Sequence, residues 1–156
     1  MKQSRRDLLK ASGGVTVMAL AASAGMLKSG SLHAQEWNKA AFDTKSLQDT
    51  VKALGGTTAT ESKDITITSP DIAENGAVVP VSVTSRLGKT EAISILVEKN
   101  PNALSAAFDI PGGTEPFVST RVKMGQTSNV HALVKADGKY FYATKEIKVT
   151  LGGCGG

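Results

Sequence analysis

The chain has 156 residues and a formal net charge of +4, from 18 basic and 14 acidic side chains. Residues 1–34 contain five of those bases and one of the acids, so the following 122 residues carry 13 of each and no net charge. A neutral chain offers no compositional support for a nucleic acid or an anionic membrane as a partner. After residue 34, His131 is the only histidine and Cys154 the only cysteine, so the usual zinc and haem ligand sets are lacking and we expect no metal or cofactor.

The first 34 residues have the pattern of an export signal. Arg5 and Arg6 form a twin-arginine motif, and a mildly apolar stretch interrupted by Ser, Thr and Gly follows over residues 11–27. That stretch is about one residue short of the roughly 18 that indicate a membrane span. We therefore predict a Tat signal peptide over 1–34, cleaved after Ala34, and a periplasmic mature protein outside the membrane. Because Tat substrates commonly cross the membrane folded, with a cofactor or a partner, the lack of a cofactor site favours a folded partner.

Residues 35–56 are predicted to form an N-terminal segment with one short amphipathic helix. Asp43 or Thr44 can cap its start, because a side-chain oxygen there accepts a hydrogen bond from a free N–H group of the first turn. The apolar residues of one helix face then recur at i, i+4 and i+7, as Leu47, Val51 and Leu54. Gly55-Gly56 ends the helix, whose apolar face we expect to pack against the domain or a partner.

Residues 57–151 are predicted to form one antiparallel β-sandwich. Seven short β-rich runs separated by turn signals are typical of that architecture. The runs are residues 65–68, 77–84, 92–98, 105–110, 118–123, 129–135 and 139–151. Asp137-Gly138, between the last two runs, is a dipeptide that a type I′ hairpin favours. The predicted fold class is therefore mainly β, with about seven strands and one short N-terminal helix.

The last predicted segment is a flexible carrier arm, Gly152-Gly153-Cys154-Gly155-Gly156. A lone cysteine forms no internal disulfide, so its use is chemical or intermolecular. The glycines suit a mobile segment that passes through narrow places, and an extended chain places Cys154 about 10 Å beyond Leu151. No charged residue stands within five positions of Cys154, so we expect the thiol to be activated by partner enzymes. Cys154 is therefore the predicted covalent attachment point, on the arm formed by residues 152–156.

Three features together resemble the SoxY family, the sulfur-carrier subunits of the bacterial Sox thiosulfate-oxidising system. They are the terminal Gly-Gly-Cys-Gly-Gly, the twin-arginine signal and the segment Glu74-Asn75-Gly76-Ala77-Val78-Val79-Pro80-Val81. The resemblance implies an immunoglobulin-like β-sandwich, paired with a second β-sandwich subunit, SoxZ, in a periplasmic heterodimer.

The same resemblance implies a mechanism that involves Cys154 alone. A SoxAX-like cytochrome couples thiosulfate oxidatively to the thiol, giving a cysteine S-thiosulfonate. A SoxB-like hydrolase then removes the terminal sulfone as sulfate, and a sulfane dehydrogenase, where present, oxidises the remaining sulfur. The carrier performs no catalysis, so the resemblance implies a protein that is not an enzyme.

Other functions remain as alternatives with less support. An enzyme with Cys154 as its nucleophile needs a rigidly held base, which a glycine tail does not provide. A ubiquitin-like modifier is contradicted by the export signal, and a prenylated cysteine needs three further residues where only two glycines follow. The main alternative is a non-catalytic periplasmic binding sandwich whose Cys154 forms a disulfide tether to another protein. Arg86 and Arg121 are expected to be solvated surface charges, and contact with a sulfonate or with an acidic surface of a partner is the alternative.

Overall fold

A computed structural model describes residues 38–150 of the chain. The predicted signal peptide, the residues that follow it to position 37, Leu151 and the predicted arm 152–156 lie outside these residues. The elements are α1 (Lys39–Phe42), α2 (Leu47–Ala53), β1 (Ala59–Glu61), β2 (Ile65–Thr68), β3 (Ile72–Ala73), β4 (Val79–Ser85), β5 (Thr90–Val97), β6 (Leu104–Asp109), β7 (Phe117–Val122), β8 (Ser128–Ala136) and β9 (Lys139–Val149). No helix among residues 38–150 is long and apolar enough to cross a membrane.

The strands form two facing sheets. One has the strand order β1-β9-β8-β5-β6, with β3 also paired to β9, and the other has the order β2-β4-β7. The pairs that β9 makes with β1 and β3 are parallel, and the other pairs are antiparallel. The predicted β-sandwich is confirmed, and the starts and ends of its seven strands lie within two residues of the predicted ones. The prediction missed β1 and β3, because strands of two or three residues show no alternating pattern.

Alternation along the strands builds an aliphatic core between the two sheets. In β4, β5 and β8 every second side chain points into this space, where β-branched residues pack well on a pleated surface. Its most deeply buried members include Val79, Val81, Val83, Ile93, Ile95, Val97, Val130 and Ile147. The sandwich is therefore held together mainly by apolar burial.

The helices cover the other face of the larger sheet. Val51 of α2 packs with Leu96, Leu133 and Tyr140 in a second buried cluster, which Leu47 and Leu54 join at its edge. The predicted amphipathic helix and its apolar face are thus confirmed. Its packing also makes the helical segment and the sandwich parts of one packed domain.

The predicted N-cap of this helix was wrong. Ser46 is the cap, and its Oγ accepts a hydrogen bond from the Asp49 backbone N–H at 3.1 Å. Asp43 instead caps the C-terminus of α1, a four-residue helix that the sequence did not predict, and the Thr44 hydroxyl donates to the Ala41 carbonyl. The predicted end is correct, because Gly55 directly after the C-cap Leu54 has φ +86°.

The hairpin between β8 and β9 follows the predicted turn. Asp137 has φ 49° and Gly138 has φ 72°, and a type I′ turn needs positive φ at both central residues. The strands pair from Ala136 and Lys139 onwards over nine residue pairs. This ladder pairs β9 with β8 from Lys139 to Ile147.

The helix layer depends on a hydrogen bond that a single substitution removes. The Tyr140 hydroxyl donates to the Leu54 carbonyl at 2.7 Å across the helix–sheet contact. We expect Tyr140→Phe to lower the free energy of unfolding by about 1 kcal/mol, because the partly buried Leu54 carbonyl loses its donor. Tyr142→Phe is the control, since the Tyr142 hydroxyl makes no hydrogen bond within residues 38–150. Denaturant unfolding measures both, and equal losses would show that the Tyr140 bond contributes nothing.

Candidate functional site

The structure describes the chain as far as Thr150, four residues before Cys154, the predicted attachment point. Cys154 and the four arm glycines, Gly152, Gly153, Gly155 and Gly156, lie outside the described residues. What the structure describes is the strand that leads to them. The candidate site is therefore built from the end of β9 and the residues that hold it.

One side of this strand end is held by β3 and its flanking residues. The Lys148 N–H donates to the Asp71 carbonyl at 2.9 Å, and the Thr150 N–H donates to the Ala73 carbonyl at 3.1 Å. Ala73 is buried and lies directly opposite Val149 in the parallel ladder. The backbone is thus paired up to the last residue that the structure describes.

The loop between β7 and β8 contacts the same strand end. The Val149 N–H donates to the Thr127 hydroxyl at 3.0 Å, which satisfies a donor that β8 no longer reaches. The Met124 N–H donates to the Gly76 carbonyl at 2.7 Å, which joins the loop to the turn that follows β3. Two separate chain segments therefore fix the base of the predicted arm.

Gly76 permits the closest of these contacts. A Cβ at position 76 would lie 2.4 Å from the Met124 carbonyl oxygen and 2.9 Å from Cγ1 of Val149. Neither distance is compatible with a side chain, and the first involves backbone that cannot rotate away. Position 76 belongs to the segment that resembles the SoxY family, and its need for glycine is explained by this packing.

An ion pair at the surface reinforces the same end of the sandwich. Lys145 Nζ lies 2.9 Å from Asp71 Oδ1 and donates to the Ser69 carbonyl at 2.6 Å. The hydrogen bond from Lys145, and then its charge, lower the pKa of Asp71 below its ordinary value, with a smaller contribution from Lys148. The contact positions the residues before β3 and has little energetic weight, because Asp71 is fully exposed to solvent.

His131 takes part in a local polar cluster. Its Nδ1 lies 2.8 Å from the Thr144 hydroxyl, and its Nε2 lies 3.8 Å from Oε2 of Glu98. Burial lowers the pKa of His131, while Glu98 acts in the opposite direction, so the neutral imidazole is favoured. Within residues 38–150 no three His, Cys, Asp or Glu side chains are placed to hold a metal ion.

The remaining predicted surface residues lie at the two ends of the smaller sheet: Arg86 follows β4, and Arg121 lies opposite Pro80, near the β7–β8 loop that contacts the strand end. Arg86 and Arg121 are exposed and form no ion pair with any described residue. A cleft of about 360 Å³ lies beside Lys139, at the opposite end of β9, and is lined largely by glycine and threonine. About 35 Å of extended strand separates it from Thr150, whereas four residues span at most about 14 Å. Cys154 is therefore out of reach of this cleft.

The sequence alone did not reveal the residues that hold the strand end. Thr127 and Ala73 lie 22 and 77 residues before their hydrogen-bond partners Val149 and Thr150, and a side-chain bond or a two-residue parallel strand leaves no periodic signal. The turn at Asn75-Gly76 was visible, but its contact with β9 was not. Only the folded structure, which places the end of β9 beside these residues, shows that they hold it.

The fold and the strand end define a class of protein: a β-sandwich with a helix layer, whose last strand is anchored close to a lone cysteine. A family model described as "Sulfur oxidation protein SoxY" matches residues 51–154 and so extends to Cys154. The chain belongs to the SoxY family.

Two solved structures illustrate how specific the likeness is. The sulfur carrier protein SoxY from Chlorobium limicola f thiosulfatophilum is 39% identical, with a TM-score of 0.63, and the match covers 72% of this chain and 97% of that one. A superoxide reductase (neelaredoxin) from Ignicoccus hospitalis is 20% identical, with a TM-score of 0.50, and the match covers 55% and 80%. At that identity the second likeness shows the fold alone. No curated protein matches the chain.

The packing at Gly76 gives a direct prediction. We expect Gly76→Ala to lower the free energy of unfolding by about 1 to 3 kcal/mol, because the new methyl group clashes with both the Met124 carbonyl and the Val149 side chain. Gly88→Ala is the matched control, since a Cβ there has nothing within 4 Å and its φ is not positive. Denaturant unfolding should separate the two variants, and indistinguishable midpoints would contradict the tight contact.

Proposed function

We propose that this protein is a periplasmic sulfur carrier that holds thiosulfate-derived intermediates covalently on Cys154 and presents them to partner enzymes. The observation that supports this most strongly is the SoxY family match, which extends to Cys154. The anchored end of β9, only five residues before this cysteine, supports a fixed base for a short arm.

A thiol suits this cargo because sulfur–sulfur bonds form and break without touching the carbon–sulfur bond. Loading joins the Cys154 thiolate to the outer sulfur of thiosulfate and releases two electrons, which a SoxAX-like cytochrome accepts. Hydrolysis by a SoxB-like enzyme then adds water across the terminal sulfur–sulfur bond. It releases sulfate and two protons and leaves a persulfide on Cys154. A sulfane dehydrogenase is the proposed enzyme for the remaining sulfur.

The protein's own role in these steps is to position the sulfur and leave it accessible. Among the described residues near the strand end, Lys145 is paired with Asp71, and the Thr127 hydroxyl is already bonded to β9. The one described histidine, His131, is bonded to Thr144. These three groups are engaged in contacts of the fold, and the family match supports a carrier. We infer a carrier without catalysis of its own, whose thiol the partner enzymes activate.

We also propose a periplasmic heterodimer with a SoxZ-like β-sandwich subunit. The twin-arginine signal supports the export of a folded protein, and a partner that lacks its own signal can travel with it. The neutral charge of the mature chain agrees with a protein partner and gives no support to a nucleic acid or membrane.

Peptide mass analysis tests the proposal. The mature protein, purified with its natural partner subunit, is incubated with thiosulfate and a thiosulfate-oxidising extract and then digested. We expect thiosulfonate or added sulfur on the peptide that contains Cys154, and no added sulfur anywhere in Cys154→Ser. Finding only protein–protein disulfides at Cys154 would favour the tether instead, and finding no modification in the wild type would refute the carrier role.

A further inference from the structure

We propose that a cavity on the helix side of the larger sheet is a binding site for an alkyl guanidinium group, the group that ends an arginine side chain. The cavity has a volume of about 190 Å³ and is bounded by the end of α2 and by β5, β6, β8 and the start of β9. One of its lining residues, Tyr140, lies ten residues before Thr150, so the cavity is at the other end of β9 from the predicted arm. The inference therefore does not depend on the carrier function.

The cavity exists because small side chains line the sheet where the helix layer stops. Ala92 and Ser94 alternate with core residues along β5, so they point to the helix side, and Ala107 of β6 lies opposite Ser94. Helix α2 ends before it covers these side chains, with Leu54 at the cavity wall, and Ala107 stays exposed. One water takes about 30 Å³ in the liquid, so the depression has room for a ligand of several heavy atoms.

The Ser94 hydroxyl is a buried polar group that the fold leaves without a partner. Four polar residues are buried within residues 38–150, and Thr50, Ser85 and Ser128 all make side-chain hydrogen bonds. Ser94 is 4% exposed and makes none with any residue of that range. No side-chain polar atom there is both sealed from solvent and unpaired, so the Ser94 hydroxyl opens into the cavity that it lines. Because an unpaired buried hydroxyl costs free energy, this group favours a ligand that hydrogen-bonds to it.

The charges beside the cavity favour a cation. Lys135 Nζ lies 2.9 Å from Oε2 of Glu91, whose other oxygen accepts a hydrogen bond from the Gly138 N–H at 2.8 Å. The hydrogen bond to Glu91, and then its charge, raise the pKa of Lys135, while Asp109 makes a smaller contribution. Glu91 thus neutralises Lys135. Asp109 also lines the cavity, and its side chain forms no hydrogen bond or ion pair with any described residue, so one negative charge remains unpaired.

A guanidinium group satisfies this combination better than an ammonium group. It is planar and weakly hydrated, it packs against aromatic rings, and its five N–H donors can serve the Asp109 carboxylate and the Ser94 hydroxyl together. Tyr140 supplies an aromatic wall that is held in place, because its hydroxyl donates to the Leu54 carbonyl at 2.7 Å. An alkyl stem can lie on the alanine floor. An anion would instead meet the Asp109 charge, and an apolar ligand would leave Ser94 unpaired.

Titration of the full mature chain with N-acetylargininamide, followed by NMR, tests the site. At low ionic strength, where charge contacts are least screened, we expect the backbone amide signals of Ala92, Ser94 and Ala107 to move, with a Kd of about 1 to 10 mM. N-acetylcitrullinamide has the same shape without the charge and should bind at least about tenfold more weakly. N-acetyl-lysinamide should bind with an intermediate affinity.

Three variants connect this binding to the cavity. We expect Asp109→Asn to raise the Kd about tenfold and Ser94→Ala to raise it about fivefold, because each removes one acceptor of the guanidinium donors. Asp64→Asn is the matched control, since Asp64 is an exposed acid without an ion pair that does not line the cavity. Its Kd should change by less than about twofold. All three substitutions nearly conserve side-chain size, and equal thermal unfolding midpoints would exclude a folding defect.

The source of the guanidinium group is found by repeating the titration on the protein purified with its natural partner subunit. Unchanged binding there assigns the site to a free ligand, and lost binding assigns it to an arginine side chain of that subunit. Absence of signal movement in the isolated chain up to about 50 mM would overturn the site. Equal affinity for the citrulline compound would also overturn it, as would an unchanged Kd in Asp109→Asn.

Discussion

The structure depends on the pairing of β9 along both of its edges. On one edge β9 forms nine residue pairs with β8, and on the other β1 covers its start and β3 covers its end. A last strand would otherwise present an open edge with free N–H and C=O groups, which invites pairing with another chain. The two short parallel strands cover much of that edge, and they bring residues from the first half of the domain to the end of the last strand.

This pairing would give the proposed arm a fixed base. If the end of β9 frayed, the position of Cys154 would vary over many ångströms. The cysteine would then enter the active site of a proposed partner enzyme less often. The hydrogen bonds that Thr150 and Val149 donate to the Ala73 carbonyl and the Thr127 hydroxyl hold the strand up to Thr150.

Sequence patterns predicted the strands, the helix and the hairpin, which depend on neighbouring residues. They missed the contacts between residues that lie far apart in the sequence. Alternating apolar residues predicted the seven longer strands, and Asp137-Gly138 predicted the hairpin, because each of these signals is contained in a few consecutive residues. The cap of α2 is Ser46, because this helix begins at Leu47, while Asp43 lies at the end of α1, which the sequence did not predict. The anchors of the arm base could not be predicted, since Ala73 and Thr150 meet only after the sandwich is assembled. Cys154, by contrast, was visible as the only cysteine in the chain.

Amide hydrogen exchange of the full-length protein, followed by NMR, tests the fixed arm base most directly. The Val149 and Thr150 N–H groups donate to Thr127 and Ala73, so we expect them to exchange at least about 100-fold more slowly than in an unstructured peptide. The rest of the β8–β9 ladder should be protected at least as well. Exchange of these two amides at the unstructured rate, beside a protected ladder, would contradict an anchored base and show that the arm begins further back in β9.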